Sequence, residues 1–165
     1  MPNKYYKLQA ISYKLKSGFG LLEIIISVAL VSVSLFSLAA VGRLAFRATS
    51  ESLVNIRAAF LAEEGIEALR SIRDDNWPNI SSLIPDQPYH LSFSGGIWKA
   101  TTPPQLIDGE FTRTFIMQPV YRDAGGNIAS SGDPDPEARR VVLDVARGAD
   151  KKTELVSYLV NLFGD

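Results

Sequence analysis

The fold of this chain is decided by the stretch Lys16-Ser17-Gly18-Phe19-Gly20-Leu21-Leu22-Glu23, where a basic leader meets a long apolar run. The run extends from Phe19 to Gly42, and Glu23 is its only charged residue. A helix rises about 1.5 Å per residue, so a helix of this length exceeds the roughly 30 Å hydrocarbon thickness of a bilayer. The run therefore predicts a membrane-spanning helix. An ionisable group near the centre of such a helix costs about 2.5–3.5 kcal/mol, so Glu23 is predicted to have a specific use.

The leader before this run is basic and contains no acid, which favours holding the start of the helix on the cytoplasmic side. Its lysines are Lys4, Lys7, Lys14 and Lys16. Two other interpretations stay open. A secretory signal would have an apolar core of only about 7–15 residues and a small-residue cleavage site, which Ser37-Leu38-Ala39-Ala40 could mimic. A plain signal-anchor would keep the leader, but neither alternative accounts for Glu23.

Length and composition limit the rest of the chain. With 165 residues there is room for one modest domain beside the membrane segment. The formal net charge is −1 and the cations beyond the leader are interleaved with acids, so nucleic acid is not expected as a primary partner. Because the chain has no cysteine, it offers neither a disulfide nor a thiolate metal site.

The run from Gly18 to Glu23 resembles the amino-terminal signature of type IV pilins and of the pseudopilins of type II secretion systems. In that family a prepilin peptidase cuts after the glycine and methylates the new amino terminus. The resemblance therefore implies cleavage between Gly18 and Phe19, N-methylation of Phe19 and an assembly role for Glu23. Gly20 replaces the polar residue that the family usually carries two positions into the mature chain.

Two further stretches resemble the PilV-like branch of minor pilins. Residues 59–77 are similar to the helix end of that branch, and residues 155–161 are more loosely similar to its final strand. The resemblance covers the amino-terminal half well and the carboxy-terminal half poorly. It implies a pilin-like fold and a leader, residues 1–18, that is removed.

Residues 19–76 lack proline and keep helical apolar spacing, which predicts one long helix that ends before Trp77-Pro78. We divide it into a transmembrane and assembly half, 19–42, and an amphipathic half, 43–76. The amphipathic half has an apolar face predicted to pack on the chain's own sheet: Val54, Ala58, Leu61, Ala62, Gly65, Leu69 and Ile72. A second apolar stripe, predicted to face neighbouring subunits unless it is chance scatter, consists of Phe46, Leu53, Ile56 and Phe60.

Small residues recur at heptad spacing in the membrane half, at Gly20, Ser27 and Ser34, with Ser37 nearby. Such a face permits close contacts and hydrogen bonds between helices. The alternative is that these serines bond back to carbonyls of their own helix.

Residues 77–165 change to turns and short alternating runs, which predict a small antiparallel sheet and an α+β fold. Phe111, Phe115, Met117 and Tyr121 are predicted to share one face with Arg113, and Val156, Tyr158, Val160 and Leu162 to share one face of the last strand. The predicted strands are Tyr89–Phe93, Ile97–Thr101, Glu110–Tyr121, Arg139–Ala146 and Glu154–Phe163.

Catalytic chemistry has little support in the sequence. His90 is the only histidine, and the pairs Glu63-Glu64 and Asp74-Asp75 are adjacent on a helix, so their side chains diverge. The acidic loop 123–137 could offer oxygen ligands to calcium, but it lacks the spacing of an EF-hand, and Asp and Asn are typical turn residues. We therefore expect no enzyme activity, no metal site and no cofactor.

Together these observations predict a minor pilin that acts as a structural subunit of a type IV pilus. Its expected partners are the prepilin peptidase, other pilin subunits, the membrane and the pilus assembly machinery. We expect a single pass through the inner membrane with the carboxy-terminal domain outside the cytoplasm, followed by entry into a pilus or pseudopilus. The alternatives are a pseudopilin of a type II secretion or DNA-uptake system, and a membrane-anchored enzyme or binding domain that does not polymerise.

Overall fold

The structure is a computed structural model that describes residues 20–163. The predicted leader and the processing residues Gly18 and Phe19 lie outside the described residues. The chain divides into two compact units, one ending at Arg47 and the other beginning at Ala48. Helix α1, Leu21–Asp75, contributes to both units, and the unit that begins at Ala48 also contains a sheet. The predicted α+β arrangement of a long amino-terminal helix and a small antiparallel sheet is confirmed.

Helix α1 ends at Asp75, one residue earlier than predicted, and Pro78 lacks the backbone N–H that a continuing helix would need. A short helix α2, Pro78–Ser81, follows it and was not predicted. Ile80 of α2 is fully buried, so this single turn closes one end of the core.

The sheet contains the five predicted strands and two short additions. The strands are β1 Tyr89–Ser94, β2 Ile97–Thr101, β3 Leu106–Ile107, β4 Phe111–Arg122, β5 Ile128–Ala129, β6 Asp133–Arg147 and β7 Asp150–Val160. All pairings are antiparallel, and the main order is β2-β1-β4-β6-β7, with β3 and β5 pairing to β4. The last strand ends at Val160 rather than Phe163.

The core of the second unit lies between one face of the sheet and one face of α1. The predicted core face of the helix is confirmed: its members are buried, except that Val54 is only partly buried. Ile66 and Ala68 are also buried and were not predicted. They flank the predicted stripe, so the sheet covers a wider arc of the helix than the spacing indicated.

Gly65 shows how closely helix and sheet approach. A Cβ atom at this position would lie 2.6 Å from Leu143 Cδ1 and 2.8 Å from Arg113 Cδ. Real Cβ atoms do not approach this closely without a shift of the neighbouring groups. The glycine therefore has the packing reason that the sequence predicted.

Each of two predicted strand faces is confirmed except for one residue. A register shift between Pro119 and Val120 breaks the alternation of β4, so Val120 is buried and Tyr121 does not join the core-facing residues. In β7 the three apolar residues Val156, Tyr158 and Val160 do share a face, but it is the exposed face; Leu159 is fully buried on the opposite face. Leu162 lies beyond the strand.

Candidate functional site

The first candidate site is the apolar part of α1. Of residues 20–47, all of which the structure describes, none is buried. Large apolar side chains are exposed throughout this segment, with Phe36 at 77%. The helix is long and apolar enough to cross a membrane. A continuous exposed apolar surface of this length calls for lipid or other helices around it.

Glu23 lies in the first turn of α1, where its backbone N–H donates to the Gly20 carbonyl at 2.9 Å. A carboxylate at a helix amino terminus interacts favourably with the free N–H groups there. The next charged residue along the helix is Arg43, about 30 Å further on at the usual helical rise. A nearby cation for Glu23 therefore has to come from outside the rest of α1.

The small residues of this segment behave differently from one another. Apart from its chain neighbours and the nearby helix backbone, no atom of residues 20–163 lies within 4 Å of where a Cβ of Gly20 would sit, so this side is open to another helix. The hydroxyls of Ser34 and Ser37 donate to the carbonyls of Leu30 and Val33, each at 2.8 Å. The back-bonding alternative is therefore what the structure shows for these two serines, although each hydroxyl oxygen can still accept a hydrogen bond.

The second apolar stripe lies on α1 away from the sheet. Leu53, Ile56 and Phe60 are all exposed, Phe60 at 62%, in the same stretch of helix where Leu61 and Leu69 are buried. The predicted separation of the two faces is confirmed, and the assembly role of Phe60 stays a prediction. An exposed apolar stripe on a helix that already has its own core is a candidate contact surface.

Arg113 is the residue whose role the sequence least revealed. Its side chain is only 4% exposed, and Nη1 donates to the carbonyl oxygen of Leu61 at 2.8 Å. Glu64 lies 3.5 Å away and the guanidinium is 5.4 Å from the centre of the Trp98 ring. Burial lowers the pKa of Arg113, while Glu64 opposes that shift. Two sequence features could have indicated that Arg113 is buried against the helix. Arg113 stands among the apolar residues of a predicted strand, and Gly65 interrupts the helix face that packs on that strand.

The predicted reactive groups do not come together. His90 lies in β1 with Nδ1 3.0 Å from the Arg113 carbonyl oxygen. In the acidic loop, Oδ1 of Asp123 accepts from the backbone N–H groups of Asn127 and Gly125, and these bonds lower its pKa. This carboxylate therefore organises a turn. Among residues 20–163 no cluster of His, Asp or Glu has the arrangement of a metal site.

Comparison with models of known protein families, with curated proteins and with solved structures found no match. The function is therefore inferred from the chain's own residues. The first part of α1 is exposed and apolar and has one carboxylate in its first turn. The second part of α1 belongs to a packed domain and carries a second exposed apolar stripe.

Proposed function

We propose that this chain is a type IV pilin-like minor pilin, a structural subunit that is processed by a prepilin peptidase and enters a pilus through its amino-terminal helix. One observation carries the proposal. A single helix, Leu21–Asp75, is apolar and has no buried residue in its first part, and it packs into the core of a small sheet domain in its last part. This division suits a subunit whose domain folds by itself and whose remaining helix surface is buried by other molecules.

The exposed apolar surface has to be covered both before and after assembly, in two different environments. Before assembly the bilayer can cover it, because the segment is long enough to span the hydrocarbon. After assembly, packing among like helices covers the same side chains. Burial of apolar surface is worth roughly 25 cal/mol per Å², so helices that leave lipid for a filament in water need nearly complete mutual coverage. The second stripe, Leu53, Ile56 and Phe60, extends this coverage beyond the membrane part.

In this proposal, Glu23 fixes the register between the helices of neighbouring subunits. Cleavage after Gly18 creates an amino group on Phe19, four positions before Glu23, and such an amine is largely protonated near neutral pH. A carboxylate in low dielectric is costly when unpaired and much less so when paired. Pairing Glu23 of one subunit with the Phe19 amine of a neighbour favours the docked arrangement in which the two charges meet.

The proposed role is structural, so the chain needs no cofactor, and its partners are the prepilin peptidase, the other pilin subunits and the assembly machinery. Its proposed route is a single pass through the inner membrane, with the sheet domain outside the cytoplasm, followed by entry into the pilus. The charge of the leader supports this orientation, since lysines ahead of an apolar helix favour the cytoplasmic side.

The deciding experiment is mass spectrometry of the amino terminus of the full-length protein, expressed with and without a prepilin peptidase. We expect a mature chain that begins at N-methylated Phe19 only when the peptidase is present. Gly18→Glu, which places a bulky charged group at the cut site, should leave the chain intact in the membrane. A mature start after Ala40 would identify a secretory signal, and an intact Met1 in the presence of an active peptidase would identify a plain anchor; either result contradicts the proposal.

A further inference from the structure

The two edges of the sheet are built differently. β2 and β7 are the outer strands of the main order among residues 20–163. An outer strand presents unpaired N–H and C=O groups, and proteins protect such edges with short strands, charges or bulges. β2 has only five residues and carries Lys99. The beginning of β7 carries Asp150, Lys151, Lys152 and Glu154, and its pairing with β6 skips Lys152.

The second part of β7 has none of these protections. Residues 155–160 read Leu-Val-Ser-Tyr-Leu-Val, with no charge and no proline. They pair in regular register with β6, so their outer backbone groups are aligned for another strand. An uncharged edge in regular register favours strand addition, whereas the β2 edge of the same sheet is protected.

A groove beside this edge provides space for the side chains of an added strand. It has a volume of about 350 Å³ and lies between β7, at Leu155 and Ser157, and the flank of α1, at Ile66 and Glu67. Its floor is apolar, since Ile66 is almost fully buried. A strand laid along β7 would therefore gain main-chain hydrogen bonds and also place alternate side chains against the helix.

The charges that line the groove determine which kind of strand can bind beside β7. Glu63 and Glu67 line the helix side of the groove and are exposed, and Arg70 is already paired with Glu67 at 2.5 Å. With two carboxylates and one guanidinium, the rim carries one net negative charge. Two copies joined through β7 about a two-fold axis would keep their helices on the same side of the sheet and bring both acidic rims together, which is unfavourable. Residues 155–160 of a second copy also offer no cation.

We propose that the 155–160 edge of β7 is a docking site for a β-strand of a different protein, with apolar side chains and one lysine or arginine directed toward Glu63 and Glu67. This inference concerns the sheet domain alone, and it holds whether or not the chain is processed as a pilin. Strand addition gives affinity through the backbone, while the acidic groove selects the partner.

The test uses full-length protein in detergent micelles and a pair of synthetic peptides. The first is acetyl-Thr-Val-Thr-Ile-Thr-Lys-Thr-Val-Thr-amide, and the second has Glu in place of Lys. We expect the Lys peptide to slow amide hydrogen exchange in residues 155–160 and to bind at least about tenfold more tightly than the Glu peptide. The double variant Glu63→Lys/Glu67→Lys should reverse this preference. Asp133→Lys, at the start of β6 and outside the part of β6 that pairs with β7, should leave it unchanged.

Ser157→Pro adds a backbone test, since proline in an edge strand blocks further pairing. Its folding is checked by circular dichroism, and the charge-reversal variant keeps the test decisive if this variant does not fold. Equal binding of both peptides, or no change of exchange in residues 155–160, would overturn the proposal. Protection of β7 that rises with protein concentration in the absence of peptide, together with dimers, would also overturn it and identify a second copy as the occupant.

Discussion

Residues 21–47 and residues 48–75 belong to one helix, yet their side chains are stabilised in different ways. The first segment has no buried residue, while the second contributes eight buried residues to the core of the sheet domain. Helix propensity does not determine which side chains are buried, so it does not explain the contrast. One continuous helix can therefore serve two separate requirements. Changes in the first segment should act on association and changes in the second on folding.

The largest expected effect is on the association side, at Glu23. If this carboxylate pairs with the Phe19 amine of a neighbour, Glu23→Gln and Glu23→Leu leave that amine unpaired in low dielectric. Breaking a buried ion pair costs about 3–5 kcal/mol, so incorporation into filaments should fall by more than tenfold. Membrane insertion and processing at Gly18 should be unchanged.

The measurement for Glu23 compares the subunit in sheared filaments with its membrane pool, and mass spectrometry of the amino terminus serves as the processing control. If both variants enter filaments as well as the wild type does, the Glu23 carboxylate does not guide assembly. The contrast between the two helix segments would then depend on apolar packing alone.

On the folding side, Leu69→Ala should destabilise the sheet domain by about 2–5 kcal/mol, because Leu69 is fully buried and its truncation leaves a cavity. Phe60→Ala is the matched change on the exposed stripe of the same helix, and we expect it to shift stability by no more than about 0.5 kcal/mol. Thermal unfolding of both variants in detergent measures the difference. Filament incorporation should show the opposite order, and equal melting of the two variants would show that the assignment of faces is wrong.

Gly→Ala substitutions in the two parts of α1 test the same contrast, since each adds a single methyl group. Gly65→Ala places a Cβ against Leu143 and Arg113, so we expect a net loss of about 1–2 kcal/mol despite better helix propensity. Gly42→Ala meets no atom within 4 Å and should leave the stability of the sheet domain unchanged. Urea unfolding followed by the fluorescence of Trp77 and Trp98 reports on that domain. A stabilising Gly65→Ala would mean that helix and sheet separate easily.

The smallest expected effect is a pH dependence confined to the sheet domain. Arg122 donates from Nε to Asp135 Oδ2 at 2.7 Å, and this bond lowers the pKa of Asp135 in the folded state. A depressed carboxyl pKa contributes stability above the unfolded value of about 3.9, and the contribution is lost as the pH falls through the folded value. Carbon-detected NMR titration should show the Asp135 pKa rising toward its ordinary value in Arg122→Gln. An unchanged pKa would show that the ion pair does not form in solution.

Much of the fold was available from residue periodicity. The core face of α1 and all five long strands were predicted, because a helix or strand that packs on one side must repeat its apolar residues at 3.6 or 2.0 positions. The exposed stripe at Leu53, Ile56 and Phe60 was visible for the same reason. Of the candidate functional residues, Glu23 was identified from its charge alone, since a lone carboxylate in an apolar run is conspicuous.

Which strand faces pack on the helix depends on contacts between elements. Both faces of β7 are apolar in its second part, with Leu155 and Leu159 on one side and Val156, Tyr158 and Val160 on the other, so alternation alone does not indicate which face packs on α1. The register shift after Pro119 depends on how β4 pairs with β6. The burial of Arg113 required Gly65 to lie opposite it, a contact between residues 48 positions apart in the chain. Periodicity describes each element separately, whereas these features arise from pairing and packing between elements.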